Sequence, residues 1–114
     1  MPTFEPWDIV KIPFPYTDRP VRQRRPALVL AAGDLQTAHG LLWLAMITSA
    51  THQGWYGDVL ISDQGIAGLP APSIVRPAKI ATIDAQDAGK LGTLPTSDRE
   101  AVHQYLRERL SDIS

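Results

Sequence analysis

Residues 41–49, LLWLAMITS, decide how this chain folds. The run is apolar until it ends on Thr48 and Ser49, and a short apolar run of this kind is typical of a strand at the centre of a sheet. Residues 26–32, PALVLAA, form a second apolar run and predict another largely buried strand. If the two strands pair antiparallel, Arg25 at the start of one lies near Thr48 at the end of the other.

Further strands are predicted on both sides of this pair. Ten prolines and eight glycines divide the first 95 residues into short pieces, which is typical of a compact β fold. The other predicted strands are residues 7–14, 58–62, 73–83 (broken or bulged near Pro77) and 90–94. Residues 15–25 are expected to form a basic loop, 33–40 a turn or short helix, and 65–72 a connection. Trp43 is expected in the core.

The C-terminal segment has a different pattern. Ser97 and Glu100 have the spacing of a capping box, in which each side chain satisfies a free backbone donor at a helix start. Apolar side chains then recur at helical spacing up to Leu110. We therefore predict a helix over residues 97–110. The predicted fold is mainly β with a C-terminal helix, a small β-barrel or curled sheet in one domain spanning residues 1–114.

Composition excludes several kinds of chemistry. The chain of 114 residues has no cysteine, which excludes disulfides and thiolate nucleophiles. A net charge of −1 argues against a general, strongly basic nucleic-acid binder. Four arginines nevertheless fall within seven residues, enough to hold a few phosphates; they are Arg19, Arg22, Arg24 and Arg25. The sequence contains no membrane-length apolar run and no signal-peptide pattern, so we expect a cytoplasmic protein.

No cofactor or metal motif is present. The sequence lacks a phosphate-binding glycine loop, a dinucleotide fingerprint and a nucleophile elbow. Its three histidines show no metal-ligand spacing, and we interpret His39 and His103 as surface residues. His52 follows the predicted central strand and is the histidine of most interest. Asp84 and Asp87 are interpreted as turn residues rather than an acid–base pair.

An ordered set of short blocks resembles the PemK/MazF toxin family. The blocks are DIV (8–10), PFPYTD (13–18), RRPALVL (24–30), ITS (47–49), SIVRP (73–77), KI (79–80), TID (82–84) and KLGTL (90–94). Together the similarity spans about residues 7–110. The resemblance implies an SH3-like small barrel, a homodimer, and the toxin component of a type II toxin–antitoxin system. It also implies an endoribonuclease that cuts single-stranded RNA without a metal, and an antitoxin whose C-terminal segment occupies the RNA groove.

The resemblance also assigns residues. It places the family's catalytic arginine on Arg25 and its catalytic threonine on Thr48. Candidate substrate-binding residues are Arg19, Arg22, Arg24, Ser49, Arg76 and Lys79. RNA supplies its own 2′-hydroxyl nucleophile, so these groups need only align it and stabilise phosphoryl charge, leaving a 2′,3′-cyclic phosphate and a 5′-hydroxyl. The proton acceptor stays open, with His52 as one candidate.

The sequence departs from the family pattern at one backbone position. The usual glycine before the first-strand aspartate is Trp7 here. Two other functions stay possible at this point. One is a CcdB-like toxin that poisons DNA gyrase on the same barrel, and the other is a non-catalytic SH3-like binding module. Trp55 and Tyr56, in the loop after the central strand, are expected to stack on a base or to pack at a dimer interface.

Overall fold

The computed structural model describes residues 3–13, 24–52 and 54–113. Within them lie six strands and three α-helices. The strands are β1 (Asp8–Pro13), β2 (Arg24–Ala31), β3 (Leu41–Ser49), β4 (Val59–Leu60), β5 (Ser73–Asp84) and β6 (Gly89–Thr93). The helices are α1 (Gly33–His39), α2 (Gln64–Ala67) and α3 (Thr96–Leu110). One-turn 3-10 segments follow β3 and β5, at Ala50–His52 and Ala85–Asp87, and another follows α3.

The strands form one antiparallel sheet in the order β4-β5-β3-β2-β1-β6, curled into a half-barrel. The predicted central strand is confirmed over its whole length, because β3 lies between β2 and β5. The register of β3 with β5 runs from Leu41 opposite Asp84 to Ser49 opposite Ser73. The expected mainly β fold with a C-terminal helix is confirmed.

The curled sheet buries apolar side chains on both faces because successive strand residues point to opposite sides. On β3, Leu44 packs in one core and Ala45 in the other. The first core contains Phe4, Val10, Ile12, Ala27, Val29, Ala32, Leu42, Leu44, Met46, Ala81, Ala85 and Ala88. The second contains Ile9, Leu28, Ala45, Ile47, Ile61, Ala67, Leu69, Val75, Leu94 and Val102, and α3 joins it through Val102.

Strand β5 is interrupted at the predicted proline. Met46 pairs with Arg76, whereas the preceding Ala45 pairs with Ile80, so residues 77–79 form an extra segment that β3 does not match. Pro77 is buried there. A proline cannot donate to a sheet ladder and is tolerated at such an irregularity. The interruption lies directly beside the polar end of β3.

Three details of the sequence analysis are wrong. The loop expected to continue to Arg25 ends earlier, because β2 already begins at Arg24 and pairs with β1. Trp43 is 50% exposed instead of buried, since it points away from the face that buries Leu42 and Leu44. The connection over residues 65–72 also contains most of α2, whose first N–H groups are capped by the Asp63 carboxylate.

The predicted capping box is also wrong, although its helix is confirmed as α3. The helix follows Pro95 with no side-chain cap. Ser97 Oγ instead lies 3.2 Å from Ser62 Oγ. Asp98, which is buried, accepts hydrogen bonds from the backbone N–H and the hydroxyl of Ser62 at 2.8 and 3.0 Å. The first turn of α3 therefore anchors the chain after β4 instead of capping itself.

Trp7 adopts a backbone conformation that favours glycine. Its φ is +79°, a region that side chains with a Cβ rarely occupy. Two backbone hydrogen bonds hold it there: Trp7 N–H donates to Val29 O and Leu94 N–H donates to Trp7 O, both at 2.9 Å. The indole packs against the second core, and the Arg99 guanidinium lies 5.6 Å from its ring centroid. The turn is therefore kept despite the substitution.

None of the helices in the described ranges has the length and apolar content needed to cross a membrane.

Candidate active site

An open cavity of about 210 Å³ lies at the polar end of β3. Its lining residues are Arg25, Met46, Ile47, Thr48, His52, Arg76 and Lys79. The cavity thus brings together both predicted catalytic residues and two of the predicted substrate-binding residues. The described lining contains three cationic side chains and no carboxylate, so it favours an anionic ligand.

Strand register explains why Arg25 and Thr48 meet. β2 and β3 are antiparallel, with Ala27 opposite Met46. Continuing this register by two residues places Arg25 opposite Thr48. Directly opposed residues of antiparallel strands point to the same face, and their Cβ atoms are about 5 Å apart. A guanidinium and a hydroxyl therefore reach the same cavity from a rigid sheet.

Thr48 also contacts the turn that follows its strand. Its Oγ1 lies 3.2 Å from His52 Nδ1, within hydrogen-bond distance. The 3-10 segment Ala50–His52 reverses the chain, which brings residue 52 back over residue 48. His52 is exposed and lines the cavity.

Arg76 is fixed in place by three kinds of contact. Its Nε and Nη2 donate to the two carboxylate oxygens of Asp58 at 3.1 and 3.0 Å. Nη2 also donates to the backbone oxygen of His52 at 2.8 Å. The guanidinium stacks over the Trp55 ring, 4.2 Å from the centroid. These contacts use one edge of the guanidinium and leave Nη1 on the other edge.

The Asp58 carboxylate organises the loop between β3 and β4. Its side chain is 2% exposed. Burial favours the neutral form, but hydrogen bonds from Arg76 and from the backbone N–H groups of Trp55 and Gly54 outweigh burial, so the pKa of Asp58 lies below its ordinary value. The bond to Asp58 in turn raises the pKa of Arg76. The pair is therefore ionised throughout the neutral range.

The other predicted binding residues lie elsewhere. Arg24 points to the opposite side of β2 from Arg25, and its Nη1 is 3.5 Å from the backbone oxygen of Asp87. Ser49 Oγ lies 2.9 Å from Thr51 Oγ1 and accepts from Thr51 N–H at 3.2 Å. Neither residue lines the cavity. The predictions for Arg19 and Arg22 fall outside the described residues.

Sequence reasoning missed the role of Asp58. Asp58 lies 18 positions from Arg76, and no local pattern links the two. The sequence offered one weak signal, an acid bordering an otherwise apolar strand next to the Trp55–Tyr56 pair. Trp55 and Tyr56 are 53% and 75% exposed, and their use in stacking on a base or in packing at a dimer interface stays a prediction.

The other titratable groups among the described residues offer no metal site. In the portion of the chain that the structure describes, no three His, Asp or Glu side chains cluster so that they could hold a metal ion. His39 and His103 are exposed on helices, and His103 lies 4.0 Å from Glu100. The Asp8 carboxylate is buried but accepts from Glu5 N–H at 2.9 Å and pairs with Lys90 at 3.3 Å.

The chain is similar in sequence to a known protein family. The family model described as "PemK-like, MazF-like toxin of type II toxin-antitoxin system" matches residues 5–110. A comparison with curated protein sequences gave no match.

Solved structures share the fold. MazF from Deinococcus radiodurans aligns with a TM-score of 0.76 at 22% identity, covering 97% of this chain and 99% of that one. A MazE–MazF complex from the same organism gives 0.74 at 22% identity, covering 96% and 97%. An endoribonuclease in complex with its cognate antitoxin, from a mycobacterial species, gives 0.71 at 15% identity, covering 97% and 96%. The expected small barrel is therefore confirmed.

Proposed function

Because the chain belongs to the PemK-like, MazF-like toxin family of type II toxin–antitoxin systems, we propose that it is an endoribonuclease that cuts single-stranded RNA at a short sequence. The observation that carries the proposal is the convergence of Arg25 and Thr48 in one cation-lined cavity. Arg25 and Thr48 lie on adjacent strands and line the same cavity.

The cavity suits phosphoryl transfer to an internal nucleophile. The 2′-oxygen of the RNA attacks the adjacent phosphorus while the bond to the 5′-oxygen breaks, giving a 2′,3′-cyclic phosphate and a 5′-hydroxyl. Arg25 offers two parallel donors to the phosphoryl oxygens. Thr48 adds a hydroxyl donor to the same group. Preorganised donors of this kind stabilise the charge that develops in the transition state. These steps need no metal ion.

Neighbouring groups extend the site along the RNA. Lys79 lines the cavity and is proposed to contact a phosphate, and Arg76 is proposed to contribute through Nη1. Trp55 has one ring face against Arg76 and is half exposed, which suits stacking of a base on the other face. Arg19, Arg22, Arg24 and Ser49 are proposed as contacts to flanking nucleotides.

The proposal includes protein partners. Solved relatives include MazE–MazF complexes and an endoribonuclease bound to its cognate antitoxin. We propose that an antitoxin binds this chain too, with its C-terminal segment in the cationic cavity, where acidic side chains would pair with Lys79 and Arg25. A homodimer and action in the cytoplasm on mRNA complete the proposed role.

The test is an RNA-cleavage assay in excess EDTA. Purified protein and the Arg25→Ala variant are incubated with a long unstructured RNA, and cut ends are mapped. Discrete cuts with 5′-hydroxyl ends, absent for the variant, are expected. An RNA of the same sequence that carries 2′-deoxyribose at the mapped site should not be cleaved there, because it lacks the nucleophile. Cutting by Arg25→Ala at the normal rate would refute the site, and gyrase inhibition without RNA cleavage would indicate a CcdB-like poison instead.

A further inference from the structure

We propose that His52 is the general base of the reaction, taking the proton of the RNA 2′-hydroxyl on Nε2, and that Thr48 orients its ring through Nδ1. The inference rests on the proposed ribonuclease function and names the proton acceptor that Arg25 and Thr48 leave unassigned. A guanidinium, whose pKa is above about 12, is protonated at neutral pH and is a poor base.

Geometry places the imidazole where a base is needed. His52 lines the same cavity as Arg25 and Lys79, and its Nδ1 lies 3.2 Å from Thr48 Oγ1. Arg25 and Thr48 are the proposed donors to the scissile phosphate, and the contact with Thr48 brings the His52 ring next to one of these donors. A base must reach within about 3 Å of its proton, directly or through one water.

Three hydrogen bonds fix the turn that carries His52. Its backbone oxygen accepts from Arg76 Nη2 at 2.8 Å. At the start of the turn, Ala50 N–H donates to Pro72 O at 3.0 Å. Between them, Thr51 N–H donates to Ser49 Oγ at 3.2 Å. A catalytic group is effective only when its support fixes its geometry, and these backbone contacts do so without using the imidazole itself.

The contact with Thr48 allows either partner to donate, and the proposed base requires the tautomer that carries its hydrogen on Nδ1. When His52 Nδ1–H donates to Thr48 Oγ1, the neutral ring carries its lone pair on Nε2, and Nε2 accepts a proton. The Thr48 hydroxyl hydrogen is then directed to a phosphoryl oxygen. One threonine thus orients the base and donates to the phosphate. In catalytic triads, too, a third group orients the base.

The proton and electron balance is complete with water as co-reactant. The 2′-O–H bond breaks, with the proton passing to Nε2 and the electron pair forming the new 2′-O–P bond. The P–O5′ bond breaks, and the 5′-oxygen keeps that pair and takes a proton from water. The imidazolium then returns its proton to solvent. No group is oxidised or reduced.

The mechanism requires a neutral imidazole, which sets the sign of the pH dependence. The charged groups near His52 come from two strands and one loop: Arg25 on β2, Lys79 and Arg76 on β5, and Asp58, which pairs with Arg76. Protonation of the ring would occupy the lone pair that accepts the 2′-hydroxyl proton, so single-turnover cleavage should fall on acidification.

Two substitutions separate a base from a structural histidine. In His52→Asn, the side-chain amide can still donate to Thr48 but accepts no proton at neutral pH, whereas His52→Ala removes both abilities. Single-turnover rates are measured from pH 5 to pH 9, with His39→Asn as the matched histidine control.

We expect both His52 variants to lose about 10²–10⁴-fold in rate, the usual contribution of a general base. They should also lose the acid limb of the profile and still bind RNA carrying 2′-deoxyribose at the cut site. Added imidazole should partly restore His52→Ala but not Arg25→Ala.

The results that overturn the inference are distinct from failure of the proposed function. If the wild-type protein cuts and His52→Asn cuts at the same rate with the same acid limb, His52 is not the base and the ribonuclease assignment stands. If His52→Asn restores activity that His52→Ala lacks, the role is structural. If the wild-type protein cuts no RNA, the proposed function and this inference fall together.

Discussion

Arg76 binds both oxygens of the Asp58 carboxylate, through Nε at 3.1 Å and Nη2 at 3.0 Å. Such a bidentate pair fixes two planes relative to each other, so the loop before β4 is tied to β5 in one orientation. The same carboxylate accepts backbone N–H bonds from Gly54 and Trp55 at 3.2 and 3.1 Å. Asp58 therefore positions Arg76 in the cavity wall and the loop that carries Trp55 beside it.

Replacing Asp58 with asparagine should destabilise the protein in a pH-dependent way. At neutral pH the variant leaves the Arg76 charge at the cavity wall without its partner, and we expect a loss of about 1–2 kcal/mol in the free energy of unfolding. The pKa of Asp58 is lowered by folding, so its contribution is fully present above the unfolded value of about 4 and is lost as pH falls through the lower folded value.

Urea unfolding of the wild type and Asp58→Asn at several pH values between 7 and 2 measures this difference. The gap in free energy should shrink on acidification. Glu108→Gln serves as the control, because that carboxylate is exposed on α3. A gap that stays constant down to pH 2 would contradict the assigned ion pair.

Thr48 offers a test by isosteric substitution. Thr48→Val preserves the shape of the strand residue but removes the hydroxyl, whereas Thr48→Ser keeps the hydroxyl. We expect Thr48→Val to lower the cleavage rate about 10²–10³-fold, the usual cost of one transition-state donor, and Thr48→Ser to retain most activity. Single-turnover RNA cleavage provides the rates. Equal activity of the two variants would show that the Thr48 hydroxyl takes no part in the mechanism.

Lys79 should control the salt dependence of RNA binding. Each phosphate contact to a single strand contributes a slope of about −0.7 in the logarithm of affinity against that of salt concentration. Lys79→Gln should therefore make the slope shallower by about 0.7, while Lys11→Gln, at an exposed position on β1, should not change it. Fluorescence anisotropy with RNA that carries 2′-deoxyribose at the cut site measures both. An unchanged slope for Lys79→Gln would exclude its phosphate contact.

At position 7 we expect the glycine variant to be more stable than the alanine variant, which reverses the usual order of stability. Its φ of +79° is strained for a residue with a Cβ. Trp7→Ala and Trp7→Gly both lose the packing of the indole, but glycine relieves the strain. We expect Trp7→Gly to be more stable than Trp7→Ala by about 1 kcal/mol. Thermal or urea unfolding decides, and an alanine variant at least as stable as the glycine variant would show that the turn relaxes.

The sequence predicted the local elements well where a single periodicity dominated. Residues 41–49 are apolar over a strand length and became β3 unchanged. The pattern misled where burial depends on the other side of the sheet. Trp43 lies in the middle of that apolar run yet is half exposed, because its side chain points away from the face that buries Leu42 and Leu44. Periodicity specifies which residues share a face, but it does not specify what covers the face.

Some residues of the candidate site could be predicted from the sequence and others could not. Arg25 and Thr48 were predictable, because each marks the end of an apolar strand and antiparallel pairing of consecutive strands brings those ends together. The pairing of Asp58 with Arg76 was not predictable, since it joins a loop to a bulged strand 18 positions away. The capping box failed for a related reason: the Ser97 hydroxyl meets Ser62 instead of the helix backbone.

By itself, the sequence determined the strand order along the chain, the terminal helix, the family resemblance and the two residues that we propose as catalytic. These depend on local chemistry: apolar periodicity, proline and glycine positions, and short ordered motifs. Only the tertiary structure decided that His52 contacts Thr48, that Asp58 fixes Arg76, and that Trp7 keeps the backbone of a glycine. Each of these depends on distances between segments that the curl of the sheet and the β5 bulge bring together, and such distances are properties of the packed chain.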